Sequence, residues 1–162
     1  MKRGILIGLT IASLSGWGAD RSKQLQAMDW MTGGTWTAEA KAANGPATKV
    51  ESRIRWSPNG HAIEFVTSFN GHEHYNGIYA WDPAQQAVRF FYTSGEGEFT
   101  SGTAKPVEDG LEQEFDITGV DGKANHFRSA IKKTGPDDYD WNVQRQENGE
   151  WAVMIKLHYT RK

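Results

Sequence analysis

From Gly33 onward the sequence is cut into short lengths by turn signals, and this rhythm constrains the fold more than any other feature. The signals are Asn44-Gly45-Pro46, Ser57 to Gly60, Phe69-Asn70-Gly71, Asp82 to Gln86, Gly95-Glu96-Gly97, Pro106 to Gly110, Val120-Asp121-Gly122, Gly135-Pro136-Asp137 and Glu147-Asn148-Gly149. Between them lie runs rich in Thr, Val, Ile and aromatic residues, a composition that suits strands. Ten strands are predicted, over 35–43, 47–56, 61–68, 73–81, 87–93, 98–105, 111–118, 124–133, 138–146 and 150–160. Every link is short, so each strand pairs antiparallel with the next. A sheet of this many strands removes its edges by closing into an up-and-down barrel. Only residues 20–31, ahead of the rhythm, are predicted as a helix, with Ser22 as its cap. The expected fold is all-β: an antiparallel up-and-down β-barrel of about ten strands with a short N-terminal helix, forming a single domain over residues 20–162.

Residues 1–19 read as an export signal. Lys2 and Arg3 form the basic start, Gly4 to Leu14 the apolar stretch, and Gly16, Gly18 and Ala19 offer cleavage points. The apolar stretch falls short of the roughly 20 residues that span a bilayer, so no transmembrane segment is expected after cleavage. The expected location is periplasmic or secreted. The chain has no Cys, which excludes disulfides, thiol catalysis and a Cys-linked lipid anchor. Without Lys2 and Arg3, 16 of the 18 basic residues remain against 20 acidic ones, and no basic cluster stands out. Nucleic-acid affinity rests on neutralising phosphates, so no nucleic-acid partner is expected. Oligomeric state is not specified by these features.

Three turns share one form: Phe69-Asn70-Gly71, Val120-Asp121-Gly122 and Glu147-Asn148-Gly149. Asn-Gly or Asp-Gly closes either a two-residue turn or a three-residue loop with a left-handed Gly beside a bulge, and the choice shifts the register by one. In the last hairpin a three-residue loop sets Trp141 opposite Ile155 and Val143 opposite Val153, which yields one apolar and one polar face. The same loop at Val120 joins Phe115 to Phe127 and Leu111 to Ile131. At Phe69 it gathers Ile63, Phe65 and Thr67 with Tyr75, Tyr79 and Trp81, and turns His72, His74 and Asn76 outward with Glu64 and Ser68. Two histidines two apart on a strand point the same way and can hold a metal. No third ligand is specified, so His72-Glu73-His74 reads as a solvated hairpin edge and no metal site is expected.

By this parity the inner wall mixes aromatic side chains with a few polar ones. A ten-stranded barrel is wide enough for a cavity, and an apolar pocket with a few polar anchors is the usual way of holding a small molecule. The candidate ligand-binding residues are Phe65, Tyr75, Tyr79, Trp81, Phe115, Trp141 and Arg145. Arg145 either offers a fixed charge to a ligand carboxylate or reaches solvent from its place near a turn. The expected partner is a small hydrophobic or amphipathic ligand. No catalytic residue is assigned. The pairs Glu96/Glu98 and Glu112/Glu114 read as solvated face charges. Neither Ser101-Gly102-Thr103 nor Gly95-Glu96-Gly97 precedes a helix, as a nucleophile elbow or a phosphate loop requires. No cofactor follows from these residues.

Gly34-Thr35-Trp36, on the first strand behind a short helix, resembles the Gly-x-Trp signature of the calycin superfamily, which includes lipocalins and fatty-acid-binding proteins. That superfamily pairs the Trp with a basic residue near the end of the last strand, a place taken here by Arg161. The resemblance implies a structural role for both: Arg161 lies over Trp36 and closes one end of the barrel. The export signal, Gly33 to Trp36, Ile78 to Tyr92 and His158 to Lys162 together resemble an exported bacterial lipocalin-like family of unknown function, over nearly the whole mature chain. This resemblance implies a fold and no reaction. Only Asn44-Gly45-Pro46 stands where fatty-acid-binding proteins carry a helical lid. Ten strands without a lid are similar to nitrobindin-like barrels, whose haem takes a His from the last strand. His158 is near that place, although its parity turns it outward, so the resemblance implies haem as an alternative cofactor. A structural or interaction module acting through the outer surface is the third alternative.

Overall fold

The computed structural model describes residues 20–41 and 45–162. The segment read as an export signal, and Asn44 of the first turn, lie outside the described residues. A nine-residue 3-10 helix, Lys23–Met31, leads into ten strands: β1 (Thr35–Ala40), β2 (Thr48–Trp56), β3 (Ala62–Phe69), β4 (His72–Asp82), β5 (Ala87–Ser94), β6 (Phe99–Val107), β7 (Gly110–Thr118), β8 (Ala124–Lys133), β9 (Asp138–Glu147) and β10 (Glu150–Arg161). Each pairs antiparallel with its neighbour, and β1 meets β10 to close the barrel. The fold expected from the turn rhythm is the fold observed. The helix is capped differently from the expectation. The Ser22 hydroxyl bonds the Gln24 side chain at 3.0 Å and leaves the backbone uncapped, while the Ser22 carbonyl accepts from the Leu25 N–H at 3.0 Å.

The helix closes one end of the barrel. Leu25, Met28 and Met31 are buried, at 0, 1 and 2 % exposure, so this one face plugs the opening where β2, β4, β6, β8 and β10 end. β1 and β10 pair over two residues only, Trp36 with Arg161 and Thr37 with Thr160. Trp36 Nε1 donates to the Met31 carbonyl at 2.7 Å, and the Arg161 guanidinium lies 4.3 Å over the indole. Arg161 also donates to the carbonyls of Trp30 and Thr32, so one cation ties the helix terminus to the last strand. Tyr139, 4.7 Å from Trp36 and 4.7 Å from Tyr159, completes the cluster.

The three Gly-ended turns do not share one geometry. Val120-Asp121-Gly122 is the expected three-residue loop, with Gly122 left-handed at φ 79° and Phe115 opposite Phe127. The two Asn-Gly turns are two-residue turns instead, with both central residues left-handed (Asn70 50°, Gly71 84°; Asn148 51°, Gly149 86°). Asn tolerates this region and the mirror-image turn matches strand twist, so Asn-Gly takes the tighter solution. Each of these hairpins then inserts a bulge, between Thr67 and Ser68 opposite His74, and at Met154 between Val153 and Ile155. The last hairpin therefore pairs Trp141 with Leu157 and Val143 with Ile155. This corrects the expected pairs by two residues, which preserves the apolar inner face beyond the bulge. Before the bulge the parity is inverted. Trp151 stands on the outer wall under Arg128, at 4.4 Å, and Val153 is half exposed.

The first hairpin is corrected at its tip. Glu73, not the histidines, faces outward to Arg53 at 3.0 Å. His74, the bulge residue, stacks on Phe69 with centroids 4.7 Å apart and meets Glu96 at 3.1 Å, while His72 is exposed at the turn. Farther along, Gly77 stands directly opposite Phe65. A Cβ there would meet the Phe65 ring at 2.6 Å and Tyr92 Cβ at 2.4 Å, so the glycine makes room for an aromatic ring against the strand.

On the outer wall His126 stands between Asp116, 2.7 Å from Nδ1, and Glu114, 3.0 Å from Nε2. The hydrogen bond to Asp116, then that to Glu114, raises its pKa above the ordinary 6.5. The charged imidazole therefore favours the fold. Its contribution is complete below the ordinary value and is lost as pH rises through the raised one. Solvent screens the site, so the effect stays below about 1 kcal/mol. Urea denaturation of His126→Gln is expected to show a deficit near pH ~5.5 that disappears by about pH 9. An equal deficit at both would mean that packing, not charge, is what His126 contributes.

Candidate functional site

The barrel holds a partly open cavity of about 330 Å³ between the helix and the hairpins at the far end. Its floor is Met31 of the helix with Tyr139 of β9, and Phe69, Tyr75 and Phe127 stand toward the opposite end of their strands. Five of the seven candidate residues line it: Phe65 and Tyr75, Tyr79, Phe115 and Trp141. They are brought together because each occupies the inward parity of its strand, β3, β4, β7 and β9. Trp81 has the same parity but lies nearer the helix end, opposite Val88 and packed against the core outside the cavity. Arg145 is at the opposite end of the barrel. Its guanidinium bonds the Glu147 carboxylate and its side chain is 38 % exposed, so it reaches the rim and not the lining.

The lining also holds Phe90, Tyr92, Phe127, Tyr139 and Tyr159, which the sequence did not single out. Phe90-Phe91-Tyr92 is three aromatics in a row, and composition alone does not choose which alternate pair faces in. The register does: Phe90 lies opposite Tyr79, and Phe91 is left half exposed beside Phe99. With these added, all five tyrosines of the chain line one cavity.

No charged side chain lines the cavity among the described residues. Besides the tyrosine hydroxyls, the polar side chains are few and hydrogen-bonded. Ser52 and Thr67 hydroxyls are 2.8 Å apart across β2 and β3. Ser129 Oγ donates to Gln113 Oε1 at 2.6 Å, and Gln113 Nε2 donates to the Tyr79 hydroxyl at 3.0 Å. Burial is the first cause that raises the pKa of every one of the five phenols. Tyr75, the least enclosed, is pushed to about 12, helped by Tyr92, Glu98 and Glu96 nearby. Burial pushes Tyr79 higher still, against the opposing hydrogen bond from Gln113.

The haem alternative rests on an imidazole from the last strand facing the inner wall. Among the described residues none of the lining side chains is a histidine. His158 is on the outer wall, with Nδ1 2.7 Å from Asp140. The bulge that shifts this strand sits at Met154 and does not reverse His158, so His158 does not point into the interior. Among the described residues no set of three or more His, Asp or Glu is arranged to hold a metal ion. No helix among them is long and apolar enough to cross a membrane.

No family profile and no curated protein matches this sequence. The fold is similar to the crystal structure of Rv2717c from M. tuberculosis, with a TM-score of 0.58 and 14% identity over 88% of this chain and 99% of that one. At this identity the likeness is one of fold, a closed antiparallel barrel.

Proposed function

We propose that this protein is an exported lipocalin-like barrel that binds a small apolar or amphipathic molecule in its interior. The observation that carries the reading is the cavity itself: about 330 Å³, lined by aromatic and aliphatic side chains and partly open to solvent, with two hydrogen-bonded polar sets on its wall. Apolar surroundings with a few placed polar groups are what a small-molecule site requires. The basic start, apolar stretch and small residues of 1–19 support export to the periplasm or beyond.

Native mass spectrometry on protein purified from cell-envelope and medium fractions, without denaturation, tests both parts. The expected chain begins after Gly16, Gly18 or Ala19 and either carries an organic molecule or takes up one equivalent of an apolar fluorescent probe. Ile117→Trp puts an indole into the void from the lining of β7. Overpacking of about 1–3 kcal/mol is expected to weaken uptake about ten-fold or more while far-UV circular dichroism is kept. A chain that carries nothing, and takes up apolar probes no better than Ile117→Trp does, would end the reading.

A further inference from the structure

The character of the ligand follows from what the cavity wall lacks and from the phenol proton at the end of its one hydrogen-bonded chain, Ser129 to Gln113 to Tyr79. Resting on the reading above, we infer that the cavity takes an uncharged aromatic molecule, whose acceptor oxygen or nitrogen meets the Tyr79 hydroxyl.

The wall offers no counter-ion. The lining is free of charged side chains, and Arg145, the cation nearest in parity, is engaged by Glu147 at the rim. A carboxylate or ammonium moved into such surroundings loses its hydration with nothing in exchange, a cost that leaves it outside. This separates the site from one built for ionised fatty acids.

One wall group is a donor in waiting. Ser129 gives its proton to Gln113 Oε1, and Gln113 Nε2 gives one to the Tyr79 oxygen. Tyr79 is thus an acceptor in this chain, and its own proton finds no acceptor among the described residues. Buried hydroxyl protons are nearly always used, and a chain of this kind polarises its last O–H. The group that answers it is a neutral acceptor such as a carbonyl, an ether or a ring nitrogen. Phe65 and Phe90 each stand 5.4 Å from the Tyr79 ring, so an acceptor that reaches this hydroxyl lies among aromatic faces. Offset and edge-to-face contacts at such spacings favour a planar aromatic body.

Three probes of nearly one shape test this at neutral pH, by calorimetry or equilibrium dialysis: methyl naphthyl ketone, ethylnaphthalene and naphthoate. The ketone is expected to bind about five-fold tighter than ethylnaphthalene, the worth of one buried neutral hydrogen bond. Naphthoate is expected about a hundred-fold weaker than the ketone or undetected. Tyr79→Phe keeps the ring and removes the hydroxyl, and is expected to abolish the ketone advantage, so that ketone and ethylnaphthalene bind the variant equally. Naphthoate binding as tightly as the ketone would overturn the inference, as would a ketone advantage that survives Tyr79→Phe. Ethylnaphthalene matching the ketone in the wild type would also overturn it while leaving the cavity reading intact. Failure of all three probes to bind would sink the cavity reading itself. The wild-type ranking decides the charge part without any variant.

Discussion

Replacing Trp36 by alanine is expected to cost about 3–5 kcal/mol, the largest loss from any single side chain in this barrel. The indole is fully buried and joins three elements at once: the helix through its bond to the Met31 carbonyl, β9 through Tyr139, and β10 through Arg161. β1 and β10 share two residue pairs, extended by the backbone bonds between Thr35 and Lys162, so the seam is short. Arg161→Leu is expected to cost less, about 1–3 kcal/mol, because it leaves the Trp30 and Thr32 carbonyls without their donor. The two changes are in contact, so they should not add. The double variant is expected to fall short of the sum by about 0.5–2 kcal/mol, the range of a cation on an indole face. Urea denaturation of the four proteins measures all three quantities. Full additivity would show that Trp36 and Arg161 act independently, and a Trp36→Ala loss below about 1 kcal/mol would remove the seam from the account of stability.

The second expectation concerns the five tyrosines. In a spectrophotometric titration the folded protein should show no phenolate absorbance near the ordinary tyrosine pKa of about 10. All five phenols are raised, first by burial, with Tyr75 pushed to about 12. A raised phenol pKa means that the neutral form favours the fold. That stability is complete below the ordinary value and is lost as pH rises through the raised ones, so phenolate should appear together with cooperative alkaline unfolding. Unfolding followed by circular dichroism on the same samples makes the comparison. One phenol titrating alone near its ordinary value would place that ring in water, and the cavity would then be wetter than its lining suggests.

The candidate site was legible to the extent that parity was legible. Phe65, Tyr75, Tyr79, Phe115 and Trp141 reach the cavity because two-residue alternation along a strand survives any paired register error. Trp81 and Arg145 share that parity, and alternation does not tell how far along the barrel axis a side chain sits. Depth depends on strand tilt and on where the helix enters, which are properties of the closed barrel. His74 escaped for a different reason. A bulge breaks alternation locally, and nothing in His72-Glu73-His74 distinguishes a bulged strand from a regular one.

The ten strands and their antiparallel order were written in the chain, because turn residues are chosen by local backbone sterics and short links leave one topology, while the closing pair Trp36 and Arg161 was implied by the resemblance of Gly34-Thr35-Trp36 to the calycin signature. Where the compensating bulges fall, and that five tyrosines from β4, β5, β9 and β10 share an interior without charge, were decided only in the tertiary structure. Those outcomes depend on strand twist and on packing between residues far apart in sequence, and no local pattern records such contacts.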